Sequence, residues 1–207
     1  MNNITQQIQN MIFGGNPYDG FTTIDYDLHG HDQGYDRAFF ADILDRSKPK
    51  TILEIGSWKG RSAVEMARVA PNAEIVCVDT WLGAIEFIKP PGDSSRCLDR
   101  INGWPMVYYT FLSNMIHEGL SDRVTPFPMT STLAMRWFRN NGFKFDFIYI
   151  DGSHETDDVA RDIIEAKQII NPNGTICGDD INWPSIQEAL IGENYRELHT
   201  VKWELIN

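Results

Sequence analysis

The 207-residue sequence has little positive charge. Its 18 lysines and arginines face 29 aspartates and glutamates, so the formal net charge is -11. Non-specific nucleic-acid binders and anionic-membrane binders need a basic surface, and this composition argues against both classes. We therefore expect neither nucleic acid nor membrane among the partners of this protein.

Cysteine and long apolar runs are also scarce. The three cysteines, Cys77, Cys97 and Cys177, are an odd number, and two of them lie inside apolar, strand-like runs. We interpret them as small buried residues of a reducing compartment rather than as disulfide partners. No run approaches the roughly 18 apolar residues of a membrane span, and the first residues lack the pattern of a signal peptide. These absences predict a cytoplasmic protein.

Short apolar runs alternate with amphipathic segments along the chain. We predict strands over residues 50–56, 74–79, 124–129 and 145–151, a fifth that ends at Asp179, and helices between them. Strands that are apolar on both faces are typical of parallel sheets covered by helices. The tail alternates like one or two antiparallel strands. The fold class is therefore α/β, a sandwich with a mainly parallel sheet and an antiparallel C-terminal strand.

The length of the chain suits one domain. Residues 1–36 are polar and contain several glycines and aspartates, and we predict an N-terminal arm or lid there. Residues 37–207 are predicted to form a single domain, with an irregular insertion at 80–123 between the second and third strands. We interpret His29 and His31 of the arm as part of a solvated loop, or else as residues that close over an acceptor.

A glycine-containing turn, LEIGSWKGRS (53–62), joins the first predicted strand to a helix. Glycine permits tight turns and a close approach of the backbone to a ligand. Asp79 ends the next strand, where a carboxylate can accept hydrogen bonds from ribose hydroxyls, so the pair predicts an adenosine-type cofactor. The glycine spacing fits neither the NAD fingerprint nor a phosphate loop. Glu54, just before the turn, suits a cationic ligand such as S-adenosylmethionine.

These segments resemble the class I S-adenosylmethionine-dependent methyltransferases. ILEIGSWKGRSA and IVCVDTWLG are similar to the glycine-rich and second-strand motifs of that family. FDFIYIDGSHETDDVARDI and NPNGTICGDDINWPSIQEA look like motifs of a subset that includes small-molecule and sugar O-methyltransferases of the macrocin type. The resemblance covers about residues 37–191 and implies the Rossmann-like fold of that family, a three-layer sandwich.

The resemblance also implies which residues bind the cofactor. Asp79 would hold the ribose, and Thr80, Trp81 and Ser131 would lie near the adenine. The complete set of cofactor-binding residues predicted in this way is Glu54, Gly56, Ser57, Gly60, Ser62, Asp79, Thr80, Trp81, Ser131 and Asp151.

Acidic residues follow the last two parallel strands, with Asp151 after one and Asp179 and Asp180 after the other. Ligands bind at the carboxyl ends of such strands, so we expect these carboxylates to converge on one rim. Three neighbouring carboxylates need a positive partner, and Mg²⁺ or another divalent cation would be suitable. Alternatively, Asp151 caps the next helix and the acidic pair ends a strand in solvent.

His154 follows Asp151 by three residues and could accept a proton from a hydroxyl group bound at this rim. Macrocin-type enzymes are similar in the Asp-x-x-His spacing and in the paired acids. The resemblance implies catalytic roles for His154 and Asp151, and metal ligation by Asp151, Asp179 and Asp180. Those relatives commonly have glutamate where this sequence has Asp179. Trp104 and Trp183 flank the rim loops and could stack on an acceptor.

The sequence thus predicts an S-adenosylmethionine-dependent methyltransferase that acts on an oxygen of a small hydroxylated acceptor, a sugar or natural product, with help from a divalent cation. A metal-independent methyltransferase of the same fold and a cofactor-binding protein without catalysis are the alternatives. The short arm leaves little room for an acceptor domain. This favours a small acceptor, or a site completed by a second subunit of a homo-oligomer.

Overall fold

A computed structural model describes residues 3–28, 35–84, 98–198 and 201–206. His29, His31 and Cys97, for which the sequence made predictions, lie outside these ranges. Cys77 and Cys177 are buried free thiols, as expected.

One mixed sheet of seven strands forms the centre of the molecule. Its strands are β1 (Thr51–Ile55), β2 (Glu74–Asp79), β5 (Val124–Pro128), β6 (Phe145–Ile150), β7 (Ile170–Gly178), β8 (Tyr195–Leu198) and β9 (Lys202–Leu205). The spatial order is β5-β2-β1-β6-β7-β9-β8. The first five are parallel, and β9 is antiparallel to both of its neighbours. The predicted fold class is confirmed. A separate hairpin joins β3 (Arg100–Ile101) and β4 (Trp104–Pro105).

Helices cover both faces of this sheet because successive strand residues point to opposite faces. Ile52 belongs to one buried apolar cluster and its neighbour Leu53 to the other. None of the described helices is long and apolar enough to cross a bilayer. The helices are α1 (Ile4–Phe13), α2 (Tyr35–Ser47), α3 (Arg61–Val69), α4 (Val107–His117), α5 (Ser131–Asn140), α6 (Thr156–Ile169) and α7 (Pro184–Ala189).

Strand β5 contains Pro126 and Pro128, and it was predicted as a weak strand for that reason. It lies at the edge of the sheet and pairs only with β2 among the described strands. An edge strand tolerates proline because one of its sides has no ladder to complete.

The N-terminal arm begins with α1 and passes around the edge formed by β5. Ile8 is fully buried in the cluster on one face of the sheet, and Gln9 Nε2 donates to Thr125 Oγ1 at 3.0 Å. Tyr18 is buried in the cluster on the other face, where its hydroxyl donates to the Val124 carbonyl at 2.8 Å. The described arm residues up to Tyr18 therefore pack on the sheet, and the later ones continue toward α4.

Candidate functional site

The glycine-rich loop connects β1 to α3 at the carboxyl end of the parallel strands. Gly56 has φ +89°, and a Cβ there would lie 2.0 Å from the Asp151 carbonyl oxygen. Gly60 has φ +87°, and a Cβ there would lie 2.4 Å from Met115 Cε of α4. Only residues without a side chain let this loop contact both the end of β6 and α4. The two glycines that the sequence singled out therefore fix the shape of the loop.

Asp79 at the end of β2 holds that loop in place. Its two carboxylate oxygens accept hydrogen bonds from the backbone N–H groups of Trp58 at 2.8 Å and Trp81 at 2.7 Å. Burial raises the pKa of Asp79, and the backbone N–H groups oppose this shift. Asp79 is half-buried rather than fully buried, and acceptance of ribose hydroxyls by its carboxylate stays a prediction.

Glu54 lies fully buried under the same loop. Its carboxylate accepts hydrogen bonds from Ser62 Oγ of α3 and from Cys77 Sγ at 3.4 Å. Burial raises the pKa of Glu54, and the hydroxyls of Ser57 and Ser62 oppose this shift. Ser57 Oγ is buried beside Glu54 and Cys77 but makes no hydrogen bond of good geometry with any described residue. A poorly paired buried hydroxyl next to a glycine-rich turn fits a site for a polar cofactor.

Trp81 does not present its side chain to a ligand. The indole is 2% exposed, packs against Tyr108 and Phe111, and donates from Nε1 to the Trp58 carbonyl at 2.6 Å. It is a core group that supports the glycine-rich loop, which does not fit the predicted adenine contact. Thr80 and Ser131 are the other two residues assigned to the adenine. The Thr80 hydroxyl accepts from the Leu82 N–H at 3.2 Å. Ser131 lies against the Asp162 carboxylate of α6.

The acidic residues of the rim do converge, because β6 and β7 are neighbours. The Asp151 N–H donates to the Ile55 carbonyl at 2.8 Å, and the Asp179 N–H donates to the Ile150 carbonyl at 3.1 Å. Burial raises the pKa of Asp151 well above its ordinary value, and the charges of Asp179 and Asp180 add to this shift. The two adjacent aspartates, however, point their carboxylates toward different partners.

Asp180 faces His154. Its Oδ2 lies 2.8 Å from His154 Nε2, and its backbone adopts φ +57°, which turns its side chain away from that of Asp179. The His154 ring also stacks on Trp183, with 4.6 Å between centroids and 23° between ring planes. The imidazole is thus held by a hydrogen bond at its edge and by an aromatic contact on its face. Trp104 is 60% exposed on the hairpin, and its role as an acceptor contact stays a prediction.

Asp179 faces Lys202 of β9, a residue that the sequence analysis missed. Lys202 is 3% exposed, and its ammonium group binds Asp179 Oδ2. The Tyr149 hydroxyl donates to the same carboxylate oxygen at 3.0 Å. No spacing or motif connects Lys202 to Asp179. The only signal in the sequence was the general requirement that clustered carboxylates need a positive partner.

Three side chains of the rim could hold a divalent cation. Asp151, His154 and Asp180 each offer a ligand atom, and these atoms lie within 4.8 Å of one another. Two carboxylates and an imidazole fit a cation, and the nitrogen favours Mn²⁺ or another transition metal over Mg²⁺. Two of the predicted metal ligands, Asp151 and Asp180, form this cluster with His154, whereas the third, Asp179, lies at the same rim but outside the cluster. A small pocket beside them is lined by Ile150, Asp151, Ser153, His154, Val159, Asp179, Asp180, Ile186 and Trp203.

Comparison with known proteins adds a family and a set of similar folds. Residues 53–181 match the family model described as a methyltransferase domain. No curated protein matches this chain significantly in sequence. An O-methyltransferase from Bacillus cereus in complex with S-adenosylhomocysteine is 16% identical with a TM-score of 0.64, and the alignment covers 98% of this chain and 96% of that one.

Two further solved structures have similar scores. The O-methyltransferase TomG from Streptomyces achromogenes, involved in tomaymycin synthesis and bound to S-adenosylmethionine, is 14% identical with a TM-score of 0.62, over 100% of this chain and 91% of that one. The calicheamicin methyltransferase CalS11 is 16% identical with a TM-score of 0.58, over 82% and 77%. At these identities the likeness shows a shared fold.

Proposed function

Because this chain belongs to the methyltransferase domain family and is an S-adenosylmethionine-dependent methyltransferase, we propose that it methylates a hydroxyl oxygen of a small acceptor, a sugar or another natural product. The observation that carries the proposal is the His154–Asp180 pair, which lies beside Asp151. The carbonyl of Asp151 in turn lies against Gly56 of the glycine-rich loop between β1 and α3, which is called the cofactor loop below. These contacts support a proton acceptor next to the predicted cofactor site. The O-methyltransferases of similar fold support oxygen as the methylated atom.

The cofactor loop has the features that S-adenosylmethionine requires. Asp79 would accept the ribose hydroxyls, and Gly56 and Gly60 would let the backbone approach the ligand. The buried Glu54 contributes a carboxylate, and Ser57 a poorly paired hydroxyl, beneath the loop. When bound, S-adenosylmethionine supplies a methyl group on a positively charged sulfur, an electrophile that needs alignment rather than activation.

His154 would accept the proton of the acceptor hydroxyl as its oxygen takes the methyl group. If Nε2–H donates to Asp180, the lone pair of the imidazole is on Nδ1. The negative charge of Asp180 then stabilises the imidazolium that forms, and the stacked Trp183 fixes the plane of the ring. In this form the reaction would need no metal ion.

A metal-assisted form is the second candidate, and the cluster of ligand atoms within 4.8 Å favours it. A divalent cation held by Asp151, His154 and Asp180 would make the acceptor hydroxyl easier to deprotonate. His154 would then be a ligand rather than the base. The two forms differ in their response to a strong chelator, which stops the metal-assisted reaction and leaves the other unchanged.

Binding of S-adenosylhomocysteine tests the cofactor part of the proposal. At 100 times its dissociation constant, the ligand should stabilise the fold by about 2.7 kcal/mol, a rise of about 5–10 °C in Tm. Asp79→Ala should abolish the rise, because it removes the ribose acceptor, whereas Asp122→Ala at an exposed position should retain it. No rise in the wild-type protein, with this ligand or with S-adenosylmethionine, would contradict the assignment.

Turnover of a labelled methyl donor with a panel of hydroxylated acceptors tests the base. His154→Ala should reduce kcat by about 10²–10⁴-fold, the usual contribution of a general base, and leave the affinity for S-adenosylhomocysteine unchanged. His117→Ala is the matched control. His117 lies at the end of α4, and its ring contacts the Ile24 carbonyl at 3.1 Å. Equal activity of the His154 and His117 variants would exclude His154 as the base.

A further inference from the structure

Lys202 is a buried cation that binds Asp179. Its Nζ binds Asp179 Oδ2, donates to the Tyr149 hydroxyl at 3.0 Å, and lies 5.7 Å from the centre of the Phe39 ring. An ammonium group that is 3% exposed requires a carboxylate beside it, because an unpaired charge in that position is strongly destabilising. The pair is therefore a fixed part of the fold.

Asp179 is held by more than this ion pair. Its Oδ1 accepts from the Asp180 N–H at 2.7 Å, and its Oδ2 accepts from the Tyr149 hydroxyl at 3.0 Å. Its carbonyl oxygen accepts from Trp203 Nε1 at 3.0 Å. A cation at the rim would have to displace the buried ammonium group to reach Oδ2, and Oδ1 is already engaged by the Asp180 N–H. Asp180, in contrast, is turned toward His154 by its positive φ.

We propose that Lys202 is a positioning residue of the rim: by holding Asp179 it removes that carboxylate from the cation ligands and leaves Asp151, His154 and Asp180 as the set. The inference deepens the proposed function, since it concerns the same site. It contradicts the ligand set that the sequence predicted. Its test measures cation binding rather than methyl transfer, so this inference and the proposed function can fail independently.

The charges at the rim predict different cation affinities for a single and a double variant. Lys202→Met removes the ammonium group and leaves Asp179 beside Asp151 and Asp180 with no internal cation, so the rim should attract a divalent cation more strongly. Lys202→Met combined with Asp179→Asn removes both charges of the pair. The rim then has the same two carboxylates and the same histidine as in the wild type.

Titration with Mn²⁺, followed by calorimetry and by the loss of its free paramagnetic signal, distinguishes these cases. Lys202→Met should bind Mn²⁺ at least tenfold more tightly than the wild type. The double variant should stay within about threefold of it. Asp180→Asn should lose at least tenfold. A tenfold loss in the double variant would show that Asp179 is a ligand and would overturn the proposal, as would an unchanged affinity in Lys202→Met.

Folding of each variant is checked by thermal denaturation and by binding of S-adenosylhomocysteine. Lys202→Gln, which keeps a neutral donor toward Asp179, replaces Lys202→Met if the latter does not fold. If the wild type binds no Mn²⁺, Asp151, His154 and Asp180 are not a cation-binding set, and the proposal is overturned. Loss of S-adenosylhomocysteine binding in the wild type would instead contradict the proposed function and leave the Mn²⁺ comparison intact.

Discussion

At the scale of single residues, the backbone of Asp180 separates the roles of two adjacent acids. Strand β7 ends at Gly178, where a Cβ would lie 2.3 Å from Trp203 Cζ2. Asp180 then adopts φ +57°, a region that aspartate tolerates better than most side chains. One carboxylate is thereby buried against Lys202, and the other reaches His154. The sequence predicted that the acids converge, but the division between them depends on one torsion angle and on a distant strand.

A second buried acid, Asp162, predicts how stability depends on pH. It is 2% exposed on α6, and its Oδ1 has no hydrogen-bond partner among the described residues. Burial raises the pKa of Asp162 to about 7, and the charges of Asp158 and Glu165 add to the shift. The unfolded chain titrates this group near 4, so the folded protein holds an extra proton between the two values. The stability that this proton contributes is lost as the pH rises from about 4 through 7.

Asp162→Asn should therefore stabilise the protein at pH 8 and leave its stability unchanged near pH 4. The gain in unfolding free energy at pH 8 is on the order of 3–4 kcal/mol, because the pKa of Asp162 differs by about three units between the folded and unfolded states. Urea unfolding at several pH values measures it. Asp157→Asn in the exposed first turn of α6 is the control and should show no comparable pH dependence. A gain independent of pH would show that Asp162 is not the titrating group.

At the scale of elements, most strands and helices could be predicted because their signals are local. Central strands such as β1 and β6 are apolar on both faces and end at glycine or aspartate, which fits a parallel sheet. The hairpin of β3 and β4 has two residues in each strand, too few to show any periodicity.

Helix α1 was predicted only as part of an arm, although its ends carried a signal. Asn3 Oδ1 accepts from the Gln6 N–H at 2.8 Å, and Gly14 closes the helix with φ +71°. Asparagine before and glycine after an apolar-periodic segment are recognised helix boundaries. Ile8 in the middle of this segment is buried against the sheet. Because residues 1–36 are polar overall, they were interpreted as an arm and this helix was not predicted.

The contact between the loops after β1 and β6 predicts the effect of a side chain at Gly56. Gly56→Ala adds a Cβ within 2.0 Å of the Asp151 carbonyl oxygen, in a backbone conformation that alanine disfavours. We expect a loss of about 2–4 kcal/mol in unfolding free energy and a large loss of S-adenosylhomocysteine affinity. Denaturant unfolding and calorimetry measure the two effects.

Gly142→Ala separates the clash from the conformational strain. Gly142 also has a positive φ, +74°, but a Cβ there would meet no atom within 4 Å. This variant should lose only about 1 kcal/mol and bind S-adenosylhomocysteine normally. Similar losses in the two variants would mean that the close contact between the loops does not constrain the site.

At the scale of the whole molecule, the two ends of the chain contribute to the site from opposite directions. Lys202 reaches it from the last strand, and Asp27 reaches the cofactor loop from the arm, where its Oδ2 binds Lys59 Nζ at 2.5 Å. Such long-range pairs have no signature in a single sequence. The glycine turn and the acids after strands do have a local signature, so they could be singled out from the sequence, whereas Lys202 and Asp27 could not.

The link between the arm and the cofactor loop depends on Asn114 of α4, which is fully buried. Its Oδ1 accepts from the Asp27 N–H, and its Nδ2 donates to the carbonyls of Asp27 and Lys59. Asn114→Ala leaves these groups unsatisfied, so we expect faster amide exchange in residues 24–27 and about tenfold weaker S-adenosylhomocysteine binding. Ser113→Ala loses only the hydrogen bonds to Ile24, so exchange should rise without the loss of affinity. Unchanged affinity in a folded Asn114→Ala protein would show that the arm does not support the loop.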